Sequence, residues 1–147
     1  MKLNLALAAF ALSTLLMGTA AAAEDAVGTH QISAVTDRQD YASQLQGVRF
    51  YFGHSSHRAA LRTIERNATT SLRTRKFGRS PEEACQWVML SALIQLRNHA
   101  IAVGGNAVVN IRSNWRNVEW SSASQYQCAS GFLMAGVALK GDVVRLP

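Results

Sequence analysis

Residues 80–105 read Ser-Pro-Glu-Glu-Ala-Cys-Gln-Trp-Val-Met-Leu-Ser-Ala-Leu-Ile-Gln-Leu-Arg-Asn-His-Ala-Ile-Ala-Val-Gly-Gly. The stretch carries its own start and stop. Ser80 is a capping hydroxyl, Pro81 suits the first helical position, and Glu83 completes a capping box. Glu82 and Glu83 also favour the positive end of the helix dipole. Cys85, Val88, Met89, Ala92, Leu96 and Val103 recur at helical spacing, and Trp87, Leu90, Ile94 and Ile101 widen the stripe. So broad an apolar face belongs against a sheet. Gly104-Gly105 ends the helix.

Working outward, Val48-Arg49-Phe50-Tyr51-Phe52 alternates and is rich in aromatics, which predicts a strand with Val48, Phe50 and Phe52 inward. From His54 to Arg79 the chain turns polar and basic, with seven cations set against Glu65 alone. It reads as loop, with a short helix over about Ala59–Asn67. After the long helix, Asn106–Ser113 predicts a second strand and Ala129–Leu139 a third. The third is apolar on both faces, with Phe132, Met134 and Ala138 on one and Leu133, Ala135, Val137 and Leu139 on the other. Such a strand is central in a covered sheet or is buried by a neighbouring subunit.

The fold class expected is α+β: a small β-α-β-β layer, with one long amphipathic helix on a three- to four-stranded mixed sheet. A long crossover implies parallel first and second strands, and a short link makes the third antiparallel. Cys85 in the first helical turn and Cys128 before the third strand then meet at one end of the domain. A bond between them is the economical reading in an exported chain, and the loop-entropy model gives it about 4 kcal/mol. The competing reading is a redox or metal-binding pair, although no C-x-x-C spacing exists and structural metal sites want four ligands. The basic loop and the aromatic loop 114–127 emerge at that same end. They gather Arg73, Arg75, Lys76, Arg79, Trp115, Arg116 and Trp120 as a candidate binding surface, the alternative being that the arginines are simply solvated and the tryptophans cover the core.

The first residues set the compartment. Lys2 precedes an apolar run from Leu3 to Met17, and Ala20–Ala23 offers an A-x-A site. Residues 1–23 are read as a signal peptide cleaved near Ala23, because the run is shorter than a ~20-residue span. Residues 24–47 are expected to be poorly ordered, apart from one short helix starting at Thr36 or Asp37. Residues 48–147 form a single domain. The net charge of +6 falls by one with the loss of Lys2. Expected partners are an envelope protein or an anionic envelope component, without nucleic acid, in a periplasmic protein that does not span the membrane.

Catalytic patterns are not found. No lysine sits in a G-x-x-x-x-G-K-[ST] context, and Ser55 and Ser56 lack a nucleophile elbow. The chain is therefore read as a non-enzymatic binding protein needing no cofactor. A small-ligand or metal site at His54 and His57, helped by His30 or His99, is an alternative, as is a homo-oligomeric scaffold. Asn67-Ala68-Thr69 matches a glycosylation sequon, a match that the bacterial look of the signal peptide makes idle.

Cys85–Leu93 together with Gly104-Gly105-Asn106-Ala107-Val108-Val109-Asn110-Ile111 resembles a group of small exported bacterial proteins of uncharacterised function. Some of these carry an excinuclease ATPase-subunit name that a chain lacking a phosphate-binding loop does not support. The segment at Gly104 and the closing Ala135-Gly136-Val137-Ala138-Leu139 are also similar to the YbjQ-like fold and to the Rcs envelope-stress sensor lipoprotein. The resemblance covers roughly residues 48–142. It implies a β-α-β-β domain without enzymatic activity, a stress-related envelope role and, from the YbjQ-like side, ring oligomers. In the Rcs sensor a disulfide joins the region before the helix to the start of the last strand, where Cys85 and Cys128 match. That sensor's second disulfide and lipid-anchored N-terminus have no counterpart here.

The intact mass of protein recovered from periplasm should match residues 24–147 less two hydrogens, with alkylation only after reduction. Two alkylatable thiols on the unreduced chain would move the cysteines into the reactive or metal-binding class.

Overall fold

A computed structural model describes residues 25–147, so the expected signal segment lies outside the described residues. In chain order the strands are β1 (Ala26–Gln31), β2 (Arg49–Phe52), β3 (Arg62–Arg75), β4 (Ala107–Trp115), β5 (Val118–Trp120), β6 (Gln125–Ser130) and β7 (Met134–Arg145). The helices are α1 (Ser33–Thr36), α2 (Gln39–Ala42) and α3 (Pro81–Ala102), with a 3-10 turn at Ser43–Leu45.

The long helix forms for the reasons its sequence gives. The Glu83 N–H donates to Ser80 Oγ at 3.1 Å, and the Ser80 N–H donates to the Glu83 carboxylate at 3.0 Å. Val88, Met89, Leu90, Leu93 and Leu96 are buried along one side. Each such side chain contributes roughly 1.5–3 kcal/mol when fully removed from water. Trp87 and Ile101 stay at the exposed rim, so the buried stripe is narrower than the sequence suggests.

What the helix packs on differs from expectation. Among the described residues the sheet has seven strands, is mostly antiparallel, and curls into a half-barrel, so the small β-α-β-β layer is overturned. The pair β2–β4 is parallel, and the remaining pairs are antiparallel. The stretch expected to be basic loop with a helix over 59–67 is instead largely β3, paired along β7 from Arg62↔Arg145 to Arg75↔Met134. The expected third strand is broken by a turn at 131–133 into β6 and β7. Residues 24–47, read as poorly ordered, supply β1, which pairs with β6 from Ala26↔Ser130 to Gln31↔Gln125. They also place Val35, Tyr41 and Leu45 in the core.

β7 organises the sheet. One edge carries β3, while the other is shared by β6 near Ala135 and Gly136 and by β4 from Leu139 onward. Both flanking strands hold one extra residue opposite the same point. Glu65 faces Val143 and Ala68 faces Gly141, while Val109 faces Asp142 and Arg112 faces Lys140. The extra residues are absorbed by Asn67 and Asn110, at φ 57° and 52°. Asparagine tolerates this left-handed region better than most residues, and bulges bend and twist a strand. Arg112 ties the two bulges together, donating to Asn110 O at 3.0 Å and to Asn67 Oδ1 at 2.7 Å. The Asn67 N–H donates to Asp142 Oδ1 at 2.9 Å. The sheet therefore folds over α3 at Gly141.

Both faces of β7 are buried, and the chain itself buries them. Ala135, Val137, Leu139 and Val143 join the core around α3. On the convex side Ala138 packs with Trp115 and Ala129, and Val144 packs with Ala107, Val109 and Leu146 beside Tyr51. The second face thus gives no call for a neighbouring subunit, and the motive for a homo-oligomer falls. Among the described residues no helix is long and apolar enough to cross a membrane.

A methyl group on Gly141 would come within 2.7 Å of Val108 Cγ1 and 3.1 Å of Ile111 Cγ1 at the inside of the bend. Gly141→Ala should therefore destabilise the domain by about 1–3 kcal/mol, as overpacked cores do. Urea unfolding checks this, and an unchanged midpoint would show that the bend does not depend on close approach there.

Candidate functional site

Two tight turns lie side by side at one end of the sheet. The register of β3 on β7 runs past the strands: Arg75 faces Met134, and the Lys76 N–H donates to Leu133 O at 2.9 Å. The Arg79 N–H donates back to Lys76 O at 2.8 Å, closing a four-residue turn with Gly78 at φ 71°. The second turn closes where the Gly131 N–H donates to Met134 O at 2.9 Å. Lys76 Nζ then donates to Gly131 O at 2.7 Å and bolts one turn to the other.

Phe77 occupies a central position of the first turn, and Phe132 and Leu133 fill the centre of the second. A central turn residue points away from the strands, which is why such positions usually hold Gly, Asn, Asp or Ser. Here they hold large apolar side chains, exposed by 95% for Phe77, 93% for Phe132 and 68% for Leu133. Arg75, Lys76 and Arg79 line the recess between the turns together with these residues and Met134. No carboxylate is among them.

The disulfide lies just behind. Cys85 and Cys128 are bonded, with Cα atoms 5.9 Å apart. Cys128 stands on β6 shortly before the second turn, and Cys85 stands one turn into α3 shortly after the first. The bond therefore clamps the elements that present both turns. His30 and Tyr126 stack beside β6 with centroids 5.5 Å apart, and burial pushes the Tyr126 hydroxyl pKa upward.

The structure divides the sequence-predicted surface. Arg73, Arg75, Lys76 and Arg79 do collect near the turns. Trp115 does not serve a loop: it is the last residue of β4, 8% exposed, with its ring against Gly136. The Arg73 guanidinium lies over that ring at 5.0 Å and 4.0 Å from Asp25. Arg79 covers Trp87 at 5.0 Å. Arg116 sits in the tight turn between β4 and β5 at φ 51°, and Trp120 is half-buried on β5 opposite Ser113. Phe77, Phe132 and Leu133 were missing from the predicted set. Their signal was apolar residues beside Gly78 and Gly131, where a strand reading absorbed Phe132 and Leu133.

His54 and His57 lie in the exposed loop after β2. His57 Nδ1 is 2.8 Å from Arg58 O, and its ring lies against Tyr51. Among the described residues, no third ligand-bearing side chain gathers with this pair. The grouping that does occur is His30 with Cys85 and Cys128, whose sulfurs are spent on each other. A second, polar recess runs beside β3, lined by Thr69, Ser71, Gln95, His99, Asn114 and Asn117. Thr70 hydrogen-bonds Gln95 there, and His99 Nε2 lies 2.6 Å from the Glu65 carboxylate.

No protein-family model, curated protein or solved structure matches the chain.

Glu119 on β5 accepts from Lys140 Nζ at 2.7 Å and pairs with Arg112 Nε at 3.2 Å, joining β5, β7 and β4. Lys140 first, and Arg112 second, hold its carboxyl pKa at about 2 against an ordinary 4.5. A pKa lowered by folding adds stability in full above the unfolded value, and that stability is lost as pH falls through the folded one. Glu119→Gln should therefore flatten the loss of urea resistance between about pH 4.5 and about 2. An acid limb identical to that of the parent protein would show the network to be inert.

Proposed function

We propose that this chain is a non-enzymatic binding module of the bacterial cell envelope, periplasmic after cleavage near Ala23, and that it engages its partner through the turns at 76–79 and 131–134. The observation that carries the reading is the placing of Phe77, Phe132 and Leu133 at turn centres beside Arg75, Lys76 and Arg79. Exposed apolar residues scattered singly need no explanation, but a cluster rimmed by charge marks an interaction surface. Local rules are broken in this way chiefly where function asks for it.

The compartment is supported by the Cys85–Cys128 bond, since structural disulfides belong to oxidising spaces. The signal-like Lys2 and Leu3–Met17 run agrees, as does the residue-level resemblance to exported proteins and to the Rcs sensor lipoprotein. A stress-related role would follow from that last likeness. The partner is an envelope protein or an anionic envelope component, because the recess offers cations and apolar surface together.

Washed envelope fragments should retain the oxidised protein at low salt and release it as salt rises. Phe77→Ser with Phe132→Ser, or Arg75→Glu, should lower retention about tenfold without moving the melting temperature, since all three side chains are exposed. Retention equal to that of the unsubstituted protein would remove the two turns from consideration.

A further inference from the structure

Resting on the reading above, we infer that the partner of the two turns is the anionic surface of a lipid bilayer. Phe77 and Phe132 project from convex turns and are almost wholly exposed, so they are shaped to enter a medium rather than to receive a side chain. Arg75 and Arg79, both exposed, flank Phe77 in the chain, so their guanidinium groups can meet the phosphates when the rings reach the acyl boundary. Lysine and arginine stems reach along apolar surface while keeping their charged ends in the polar layer. Each cation near an anionic surface strengthens binding by roughly fivefold.

Charge and rigidity support this occupant. Of the acids near this end, Asp25 lies 4.0 Å from Arg73, Glu83 is spent in the capping box, and Glu82 is exposed in the first turn of α3. None of the three lines the recess between the turns. The bond from Lys76 Nζ to Gly131 O and the disulfide behind it hold both tips in one arrangement, so little ordering remains to be done on contact.

Co-sedimentation of the oxidised protein with extruded vesicles tests the inference directly. Vesicles of phosphatidylglycerol and phosphatidylcholine should bind at least tenfold more tightly than phosphatidylcholine alone, with affinity falling as salt rises. Phe77→Ser with Phe132→Ser should lose about tenfold, and Arg75→Glu a similar factor. Binding that ignores these substitutions would overturn the inference and point to the apolar N-terminal run of any uncleaved chain. If phosphatidylglycerol vesicles fail to bind while whole envelopes still retain the protein through the turns, and protease-shaved envelopes do not, the partner is a protein: the bilayer is wrong and the turns stand. If neither vesicles nor envelopes respond to the turn variants, both readings fall.

Discussion

Arg112 reaches from the Asn110 carbonyl to the Asn67 side chain, holding two bulges together across one strand. Without an extra residue on each side of Gly141, β3 and β4 would run flat along β7 and leave α3 against an open sheet. With them the sheet bends where no side chain stands in the way, and Val108 and Ile111 move in against the strand. The helix then sits in a trough lined by Val137, Leu139 and Val143. A partly buried arginine is tolerable here because its remaining reach is spent on Glu119.

How far the sequence was legible follows from where each signal was local. The cap at Ser80 and the apolar spacing of α3 lie within one segment, and the structure shows both. β2 and the start of β4 were likewise written in contiguous apolar residues. β3 was not, because its inward positions Ala68, Thr70 and Thr74 are small or hydroxylated, with Leu72 the one large apolar residue among them, while arginines stand on its outer face. Its threonines carried a strand preference, but a run of cations hid it. The break between β6 and β7 was hidden for the opposite reason: apolar Phe132 and Leu133 fill the turn and imitate a continuous strand. The pairing of Cys85 with Cys128 was readable from topology, even though the layer that served the argument was too small.

The functional end shows the same division. Cations at Arg73, Arg75, Lys76 and Arg79 were visible one by one in the sequence. What made them a site was long-range register, since only the pairing of β3 with β7 brings residue 76 against residue 133. Trp115 illustrates the reverse. It read as a loop aromatic, either offered to a partner or covering the core, and it closes the convex side of the sheet over Gly136 and Ala138, with Arg73 on its outer face.

The partnership of β3 and β7 also bears on the order in which the molecule can be made. Among the described residues β3 pairs with no strand but β7, and α3, β4, β5 and β6 all intervene before β7 is available. A chain emerging from its N-terminus must carry β3 with both edges bare until the final strand arrives, and non-local pairing of this kind is slow to close. Apolar strands in that position invite aggregation. The threonines and arginines that concealed β3 from a sequence reading are what keep it harmless during the wait.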